Sequence, residues 1–242
     1  MLRACACLML ALVLTSAGRA DEAEAAKQIR KLGGFVTTLN SQTDVSFLKV
    51  DVKDSDLKLV LQLKNVTSLT ISDTKLTDEA LKEVGRLKNL KVLQIAATKI
   101  TDAGLKDLRG LDNLEKLTLD RTSITGPGLK ELKDLKKLKI LILTGSNVTD
   151  AALKHVAELS NLWNLSLSNS KVTDDGLGDL KGMANLRSLS LFMTGVTDKG
   201  IQVFQSGIDF EKLNMLYVNK TKVTKAGAEE LRKARPKLAV NY

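Results

Sequence analysis

Residues Leu87–Gly110 read LKNLKVLQIAATKITDAGLKDLRG, and this stretch decides the fold because it recurs at a fixed interval. LDNLEKLTLDRTSITGPGLKELKD follows from Leu111, and LKKLKILILTGSNVTDAALKHVAE follows from Leu135. A constant period of 24 residues is typical of stacked units that cannot bury their hydrophobic faces alone. The sequence therefore predicts one elongated array and not several globular domains.

Within each unit, aliphatic residues follow two periodicities. Leu117 and Leu119 alternate with outward residues, as a short strand requires. Leu129 and Leu132 lie three apart, as one face of a short helix requires. Each unit is therefore predicted to contain one strand and one short helix, with the leucines forming a shared spine. The units begin at Leu63, Leu87, Leu111, Leu135, Leu159 and Met183.

A Thr-Asp pair precedes most of the predicted helices. Threonine is a favourable N-cap residue, and an acidic residue in the first turn is stabilised by the helix dipole. The sequence therefore predicts that these pairs start the helices. The pairs are Thr101-Asp102, Thr149-Asp150, Thr173-Asp174 and Thr197-Asp198.

Residues 21–62 precede the first regular unit and have a different pattern. Asp21–Leu32 is predicted to be a helix, and Phe35–Leu39 and Val45–Val52 are predicted to pair as a hairpin. Because the end of a repeat stack exposes a hydrophobic face, we interpret this atypical first repeat as an N-terminal cap. Its second strand is predicted to point Phe47, Val50 and Val52 inward.

The repeats continue over residues 63–234 with one irregularity. Leu186 corresponds to Leu213, so this unit carries three extra residues, which we assign to Gln205–Asp209. A loop between a helix and the next strand tolerates such an insertion at little entropic cost. Residues 235–242 contain a proline and no helical pattern after it, and they are predicted to form a C-terminal capping strand.

Residues 1–20 have the pattern of a secretory signal peptide. Arg3 supplies a positive charge, Ala4–Leu14 forms an apolar run, and small residues precede a predicted cleavage after Ala20. The run is shorter than the roughly 20 apolar residues of a membrane-spanning helix. We therefore expect a secreted or periplasmic monomer with no membrane span after signal cleavage.

The repeated pattern LxxLxLxx, followed by a small polar residue and another aliphatic residue, resembles the signature of the leucine-rich repeat family over about residues 45–242. The unit with a TDxGLxxL helix is similar to the ribonuclease-inhibitor-like subclass and to arrays in secreted bacterial proteins. The resemblance implies an α/β leucine-rich repeat solenoid. In this curved horseshoe a parallel β-sheet forms the concave face and short helices form the convex face.

One position departs from that family. Where the family usually has Asn or Cys bonding the backbone of adjacent turns, this chain has hydroxyl residues. A hydroxyl has a single donor, so it can satisfy fewer backbone groups than an amide. The positions are Thr74, Thr98, Thr122, Ser146, Ser170, Thr194 and Thr221.

Catalytic constellations are nearly absent from the sequence. The single histidine, His155, lies in a predicted helix and is interpreted as a solvated residue. Asp51 and Asp120 could both face the concave side, but about three repeats separate them, too far for a paired acid and base. Both cysteines, Cys5 and Cys7, lie in the signal peptide. We therefore predict no enzyme activity, no cofactor and no metal site.

The concave face is the predicted binding surface. Two apolar groups interrupt its small, neutral residues: Ile140 with Ile142, and Phe192 with Met215 and Tyr217. Exposed apolar groups on a polar sheet are candidate anchors for a protein partner. The alternative is that they are ordinary β-formers on a solvated strand. The outward residues in the middle of the strands are predicted to be Asp51, Thr70, Gln94, Thr118, Ile142, Ser166, Ser190 and Tyr217.

The formal net charge of +9 leaves a second function open, a basic cell-surface or polyanion-binding protein. Acidic residues lie among the basic ones and no aromatic residues interleave, so nucleic acid is not an expected partner. Trp163, at a strand entrance, is predicted to cover an edge. The basic residues assigned mainly to the convex side are Lys82, Lys88, Lys106, Arg109, Lys130, Lys133, Lys136 and Lys137.

Overall fold

The computed structural model describes residues 20–242, in which the strands form one ten-stranded sheet in sequence order. The first two strands are antiparallel, and each later pair of neighbours is parallel. The α/β solenoid prediction is confirmed. The strands are β1 (Phe35–Leu39), β2 (Gln42–Leu48), β3 (Val66–Ser72), β4 (Val92–Ala96), β5 (Lys116–Asp120), β6 (Ile140–Ile142), β7 (Asn164–Ser166), β8 (Ser188–Ser190), β9 (Met215–Tyr217) and β10 (Ala239–Asn241). The predicted signal peptide (1–20) lies, except for Ala20, outside the described residues.

Helical segments connect the parallel strands, and many of them are 3₁₀ rather than α-helical. A 3₁₀ helix rises about 2.0 Å per residue and an α-helix about 1.5 Å, so fewer residues carry the chain back to the next strand. An α-helix at 20–31 precedes β1. The others are Asp54–Gln62, Asp102–Leu108 and Pro127–Leu132 (3₁₀), Asp78–Val84 and Lys225–Ala234 (α), and the mixed segments Asp150–Ala152 with Leu153–Ala157, Asp174–Leu177 with Gly178–Leu180, and Asp198–Ile201 with Gln202–Gln205.

The chain leaves the sheet through a left-handed residue after each strand from β2 to β9. Ala97, one residue beyond β4, has a φ of 49°. This conformation turns the backbone sharply, and its recurrence in successive units gives every repeat the same exit geometry. The residues are Lys49, Asp73, Ala97, Arg121, Gly145, Asn169, Met193 and Lys220.

The prediction of the second strand over Val45–Val52 is wrong. The observed strand is Gln42–Leu48, and Lys49, with a φ of 56°, ends it. Val52 is buried and Val50 is partly buried, but both lie in the loop that follows. The apolar alternation therefore continues beyond the strand, because the loop also packs against the core.

The leucine spine is fully buried. Leu117 and Leu119 of β5 have no exposed surface, and Leu129 and Leu132 of the following helix are equally inaccessible. Aliphatic residues of this kind form one continuous hydrophobic cluster from Ala25 to Val240. Stability therefore arises from contacts between neighbouring units, as repeat architectures require.

Several of the hydroxyl positions bond within their own turns, and two have no partner in the described part of the chain. The hydroxyl of Thr122 donates to the carbonyl of Leu119 at 3.1 Å, and that of Thr194 donates to Leu191 at 2.7 Å. Among the described residues, the buried hydroxyl oxygens of Thr74 and Thr98 have no hydrogen-bond partner. These residues therefore tighten individual turns and do not join adjacent repeats.

Adjacent repeats are joined instead by an Asp–Thr ladder along the helix starts. Oδ1 of Asp78 accepts the backbone N–H of Thr101 at 2.8 Å, while Oδ2 accepts the Thr101 hydroxyl at 2.6 Å. Gly126 occupies the aspartate position of one repeat, so the ladder skips Thr149 there. Its pairs are Asp54–Thr77, Asp78–Thr101, Asp102–Thr125, Asp150–Thr173, Asp174–Thr197 and Asp198–Thr224.

The predicted insertion forms a loop between a helix and β9. Phe204 and Phe210 pack edge to face beneath it, with ring centroids 4.8 Å apart. The Arg235 guanidinium donates to both of their carbonyl oxygens at 3.0 Å. The C-terminal segment therefore fixes the irregular repeat in place before β10 closes the sheet.

Candidate functional site

The outward side chains of β3 to β9, which form the concave face, align in rows because the parallel register is continuous. The predicted middle row is correct except for Asp51. Ser46 of β2 stands opposite Thr70, whereas Asp51 lies in the following loop, where its exposed carboxylate is 3.2 Å from Lys75. The row is Ser46, Thr70, Gln94, Thr118, Ile142, Ser166, Ser190, Tyr217 and Asn241.

The C-terminal apolar patch consists of Phe192, Met215 and Tyr217. Met215 and Tyr217 lie on β9, where the Tyr217 hydroxyl donates to the Met215 sulfur at 3.5 Å. Phe192 follows β8, and the Lys220 ammonium lies 5.4 Å from the centre of its ring. Met215 is 39% exposed, while the two aromatic side chains are partly exposed. The structure therefore brings the three predicted residues together.

The central isoleucine pair, Ile140 and Ile142, lies on β6 and is partly exposed. Three strand spacings separate β6 from β9, or about 14 Å at the usual 4.7–4.9 Å per strand. The pair and the C-terminal patch are therefore separate contact points on one face.

A chain of hydroxyl groups lies between the two apolar groups. Thr144 is 3.2 Å from Ser166, Ser166 is 3.0 Å from Ser168, and Ser168 is 2.8 Å from Ser190, all measured between side-chain oxygens. Because these hydroxyl groups bond to one another, few of them need a further hydrogen-bond partner. Their small side chains project little from the sheet between β6 and β9.

Asp120 places one carboxylate near the middle of the concave face. Burial raises the pKa of the Asp120 carboxyl above its ordinary value, against a hydrogen bond from the backbone N–H of Thr144 and the charges of Arg121 and Lys116. Its Oδ1 has no hydrogen-bond partner within residues 20–242. A raised pKa can mark a catalytic acid, but Asp51 lies in the loop after β2 and not in the row of strand residues.

A strand-entry groove of about 730 Å³ runs along the edge of the sheet where the strands begin. The sequence pattern does not predict this groove and assigns Lys136 and Lys137 mainly to the convex side. Trp163, predicted to cover an edge, is 37% exposed and faces this groove. The residue just before each strand could have indicated this groove, because Lys139, Trp163 and Arg187 recur at 24-residue intervals. Its lining includes Lys136, Lys137, Lys139, Trp163, Arg187 and Met215.

The remaining chemical candidates do not converge. His155 lies on a helix surface with Nδ1 3.4 Å from a Glu158 carboxylate oxygen. Across residues 20–242, no three side chains of the His, Cys, Asp and Glu types lie close enough together to hold a metal ion. The concave face and the strand-entry groove are therefore the two candidate surfaces.

The family comparison matches one repeat of the chain. A family model described as "Leucine Rich repeat" matches residues 182–204. This segment contains β8 and follows the same pattern as the other repeats along the spine. Residues 182–204 form a leucine-rich repeat. No curated protein matches it by sequence.

Among solved structures, the chain is similar to an internalin C2 from Listeria monocytogenes. The TM-score is 0.58 and the identity is 22%, over 78% of this chain and 76% of that chain. At this identity the likeness establishes the fold alone. It is one of 349 matching solved chains, so the likeness does not single out one binding partner. Within residues 20–242, no helix has both the length and the apolar composition that crossing a membrane requires.

Proposed function

We propose that this leucine-rich repeat protein binds a protein partner through its concave face. The fold supports a protein-interaction module in general. The observation that carries the proposal is the C-terminal apolar patch, where Phe192, Met215 and Tyr217 lie at one end of a sheet face whose middle row is otherwise mainly polar. Aromatic and methionine side chains are enriched at the centres of protein interfaces.

The central isoleucine pair extends this surface. A partner that spans about 14 Å contacts both apolar groups and covers the chain of hydroxyl groups between them. Because hydroxyl groups such as Ser166 and Ser190 already bond to one another or to neighbours, covering them leaves few buried groups unsatisfied. Tyr217, Met215 and Phe192 are the primary anchors of this proposal, and Ile142 and Ile140 are secondary.

The site of action in this proposal is outside the cytoplasm, in a secreted or periplasmic monomer. The signal-peptide pattern at 1–20 supports the location. The closure of both ends of the array supports a monomer. The helix at 20–31 buries Ala25 and Ile29 at one end, while β10 buries Val240 at the other. We propose that 21–62 and 235–242 act as caps, which stop further copies from stacking.

A photo-crosslinking experiment tests the concave site. A photoreactive amino acid at position 217 is expected to form one major adduct in the secreted or envelope fraction of the native cell. The same amino acid at position 94 is the matched control, because Gln94 occupies the same row of the sheet without apolar neighbours from the patch. Equal adducts from both positions would contradict the proposed placement.

Affinity measurements with the partner identified by that adduct give a second test. We expect Tyr217→Asp to weaken binding about 10-fold or more, since losing a hot-spot residue costs over 1 kcal/mol. Gln94→Asp introduces the same charge in the same row and is expected to leave the affinity within about 2-fold. An unchanged dissociation constant for Tyr217→Asp would remove this residue from the interface.

The second candidate function, polyanion binding by the convex basic residues, has weaker support. Lys82 contacts Glu79, Arg86 contacts Glu83 at 2.8 Å, and the Arg109 guanidinium contacts Glu131. These pairs reduce the positive potential of that face. Steep loss of heparin retention on adding salt, together with reduced retention on replacing Lys106 and Lys130, would favour this function over the concave site.

A further inference from the structure

The strand-entry groove is built on a regular backbone ladder. The Lys139 carbonyl accepts the Trp163 N–H at 2.9 Å, and the Trp163 carbonyl accepts the Arg187 N–H at 2.8 Å. The Arg187 carbonyl then accepts the N–H groups of Asn214 and Met215, each at 3.0 Å. Lys139, Trp163 and Arg187 therefore stand directly before successive strands, which are spaced about 4.8 Å apart. The sheet holds them in a fixed order.

The groove has a strong charge bias. Four of its lining side chains are basic, at positions 136, 137, 139 and 187, and none of its lining residues, all in the described part of the chain, is acidic. Arg187 has no carboxylate within 4.0 Å among residues 20–242. Field lines in a concave surface of one charge concentrate, which favours an anionic ligand.

The nearby carboxylates neutralise this charge only weakly. Lys139 is 3.3 Å from Glu115, and Lys136 is 3.9 Å from Asp134. All four side chains are between 43% and 70% exposed, and exposed pairs of this kind contribute little. A carboxylate on a ligand can therefore replace Glu115 or Asp134 without a large penalty.

Trp163 gives the groove an apolar surface between two cations. It lies between Lys139 and Arg187 in the ladder, and Met215 belongs to both the groove lining and the C-terminal apolar patch. Tryptophan, arginine and methionine are the residue types enriched in protein interfaces. A guanidinium also binds carboxylates through two parallel hydrogen bonds.

We propose that the strand-entry groove binds an acidic polypeptide segment, with carboxylates on Arg187 and Lys139 and an apolar side chain on Trp163. The proposal rests on the proposed function, because Met215 makes the groove continuous with the concave patch and one partner covers both. This continuity favours a polypeptide over an anionic polysaccharide, which has no apolar side chains for Phe192 and Tyr217.

The fluorescence of Trp163 reports on this groove directly, because it is the only tryptophan in the chain. Purified full-length protein is titrated with a 12-residue peptide of alternating Asp and Leu, a roughly charge-matched oligogalacturonate, and a peptide of alternating Lys and Leu. We expect the emission to change with the acidic peptide, to change much less with oligogalacturonate, and to stay constant with the basic peptide. Raising the salt from about 0.05 to 0.5 M is expected to weaken the response.

Arg187→Ala and Lys139→Ala are each expected to weaken binding of the acidic peptide about 10-fold, the loss of one charge-assisted hydrogen bond. Lys91→Ala is the matched control, because Lys91 occupies the same ladder position two repeats before Lys139 but lies outside the groove. It is expected to leave binding unchanged. Circular dichroism of each variant checks that the fold is retained.

Several outcomes would overturn the inference. A response to oligogalacturonate stronger than that to the acidic peptide would assign the groove to polysaccharide. A response that Arg187→Ala leaves unchanged would place binding elsewhere, and no response to any anion up to millimolar concentration would exclude an anion site. Tyr217→Asp separates the two proposals: it is expected to weaken the full partner but to leave peptide binding in the groove intact.

Discussion

Asp174 holds the next repeat through two hydrogen bonds to a single residue, Thr197. Its Oδ1 accepts the Thr197 backbone N–H at 2.8 Å, and its Oδ2 accepts the Thr197 hydroxyl at 2.6 Å. The same hydroxyl accepts the N–H of Lys199 at 3.2 Å and so caps the following helix. One carboxylate therefore links the start of its own helix to the start of the next.

Replacing Asp174 by alanine is expected to destabilise the protein by about 1–3 kcal/mol, because the Thr197 N–H loses its acceptor while remaining partly buried. Urea unfolding measures this change. Asp175→Ala is the control, since Asp175 lies in the same first helical turn and makes no side-chain bond to the next repeat among the described residues. Equal losses for both variants would mean that the ladder adds nothing beyond local helix-start effects.

Gly126→Asp is expected to destabilise the protein, although it would give this repeat the residue that its neighbours carry. Gly126 has a φ of +133°, and a Cβ there would lie 2.2 Å from the Cβ of Ala152. The backbone conformation alone costs a residue with a side chain about 1–3 kcal/mol. A lower thermal midpoint checks this expectation, with Ala152→Gly in the same background relieving part of the loss. A stabilised variant would show that the backbone adapts and the ladder is completed.

Leu117→Ala is expected to lower the free energy of unfolding by about 2–5 kcal/mol. Leu117 is fully buried in the spine, and the surrounding strands cannot move far enough to close the cavity. The urea midpoint measures the loss. Lys116→Ala, one position earlier on the same strand, is only partly buried and is expected to change stability by less than about 0.5 kcal/mol. An unchanged midpoint for Leu117→Ala would contradict the continuous core.

The stability difference between Asp120→Asn and the natural protein is expected to depend on pH. Burial holds the pKa of Asp120 above its ordinary 3.8. The stability that its protonated form contributes is therefore present below pH 3.8 and is lost as the pH rises through the folded-state pKa. The asparagine variant should gain relative to the natural protein over this rise. Unfolding curves between about pH 3.5 and 7 measure it, and a constant difference would contradict the raised pKa.

The pKa of Asp102 is shifted in the opposite direction, so its effect on stability is expected to change with pH in the opposite sense. Burial raises the pKa of its carboxyl, but the hydrogen bonds from the Thr125 hydroxyl and from the N–H groups of Thr125, Gly128 and Gly126 outweigh burial and hold the pKa below its ordinary value. Its contribution to stability is present above the unfolded-state pKa and is lost as the pH falls through the folded-state pKa. Asp102→Asn should therefore be most destabilising at neutral pH.

The sequence was sufficient for the strands of the regular repeats because periodicity acts on every repeat at once. It was insufficient for contacts between repeats when the local sequence already explained why a residue stands at its position. Asp102 already suited the helix dipole, so nothing in the sequence required its bonds to Thr125, 23 residues away. Asp51 was misplaced because the apolar pattern around it continues past Lys49, and the pattern alone does not show a left-handed φ.

The candidate site was predicted in part for a similar reason. Alternation within a strand identified the outward positions of Met215 and Tyr217. The strand-entry groove depends on side chains that precede the strands, such as Trp163 and Arg187, which have no alternation to mark them. Only the register between repeats brings them to one edge, so recognising the groove required the backbone ladder.

The Asp–Thr ladder also bears on how such an array can lengthen. Apart from the unit with Gly126 and the one after it, each ladder unit between Asp78 and Asp198 supplies an acceptor to its successor and a donor to its predecessor. A duplicated unit of this kind would therefore enter the gene with both halves of the contact already encoded. The linkage tolerates unequal copies as well: Asp198 reaches Thr224 across 26 residues at 2.7 Å, the three extra residues notwithstanding. The number of units and the length of their loops can therefore change in evolution while the hydrogen bonds between repeats are kept.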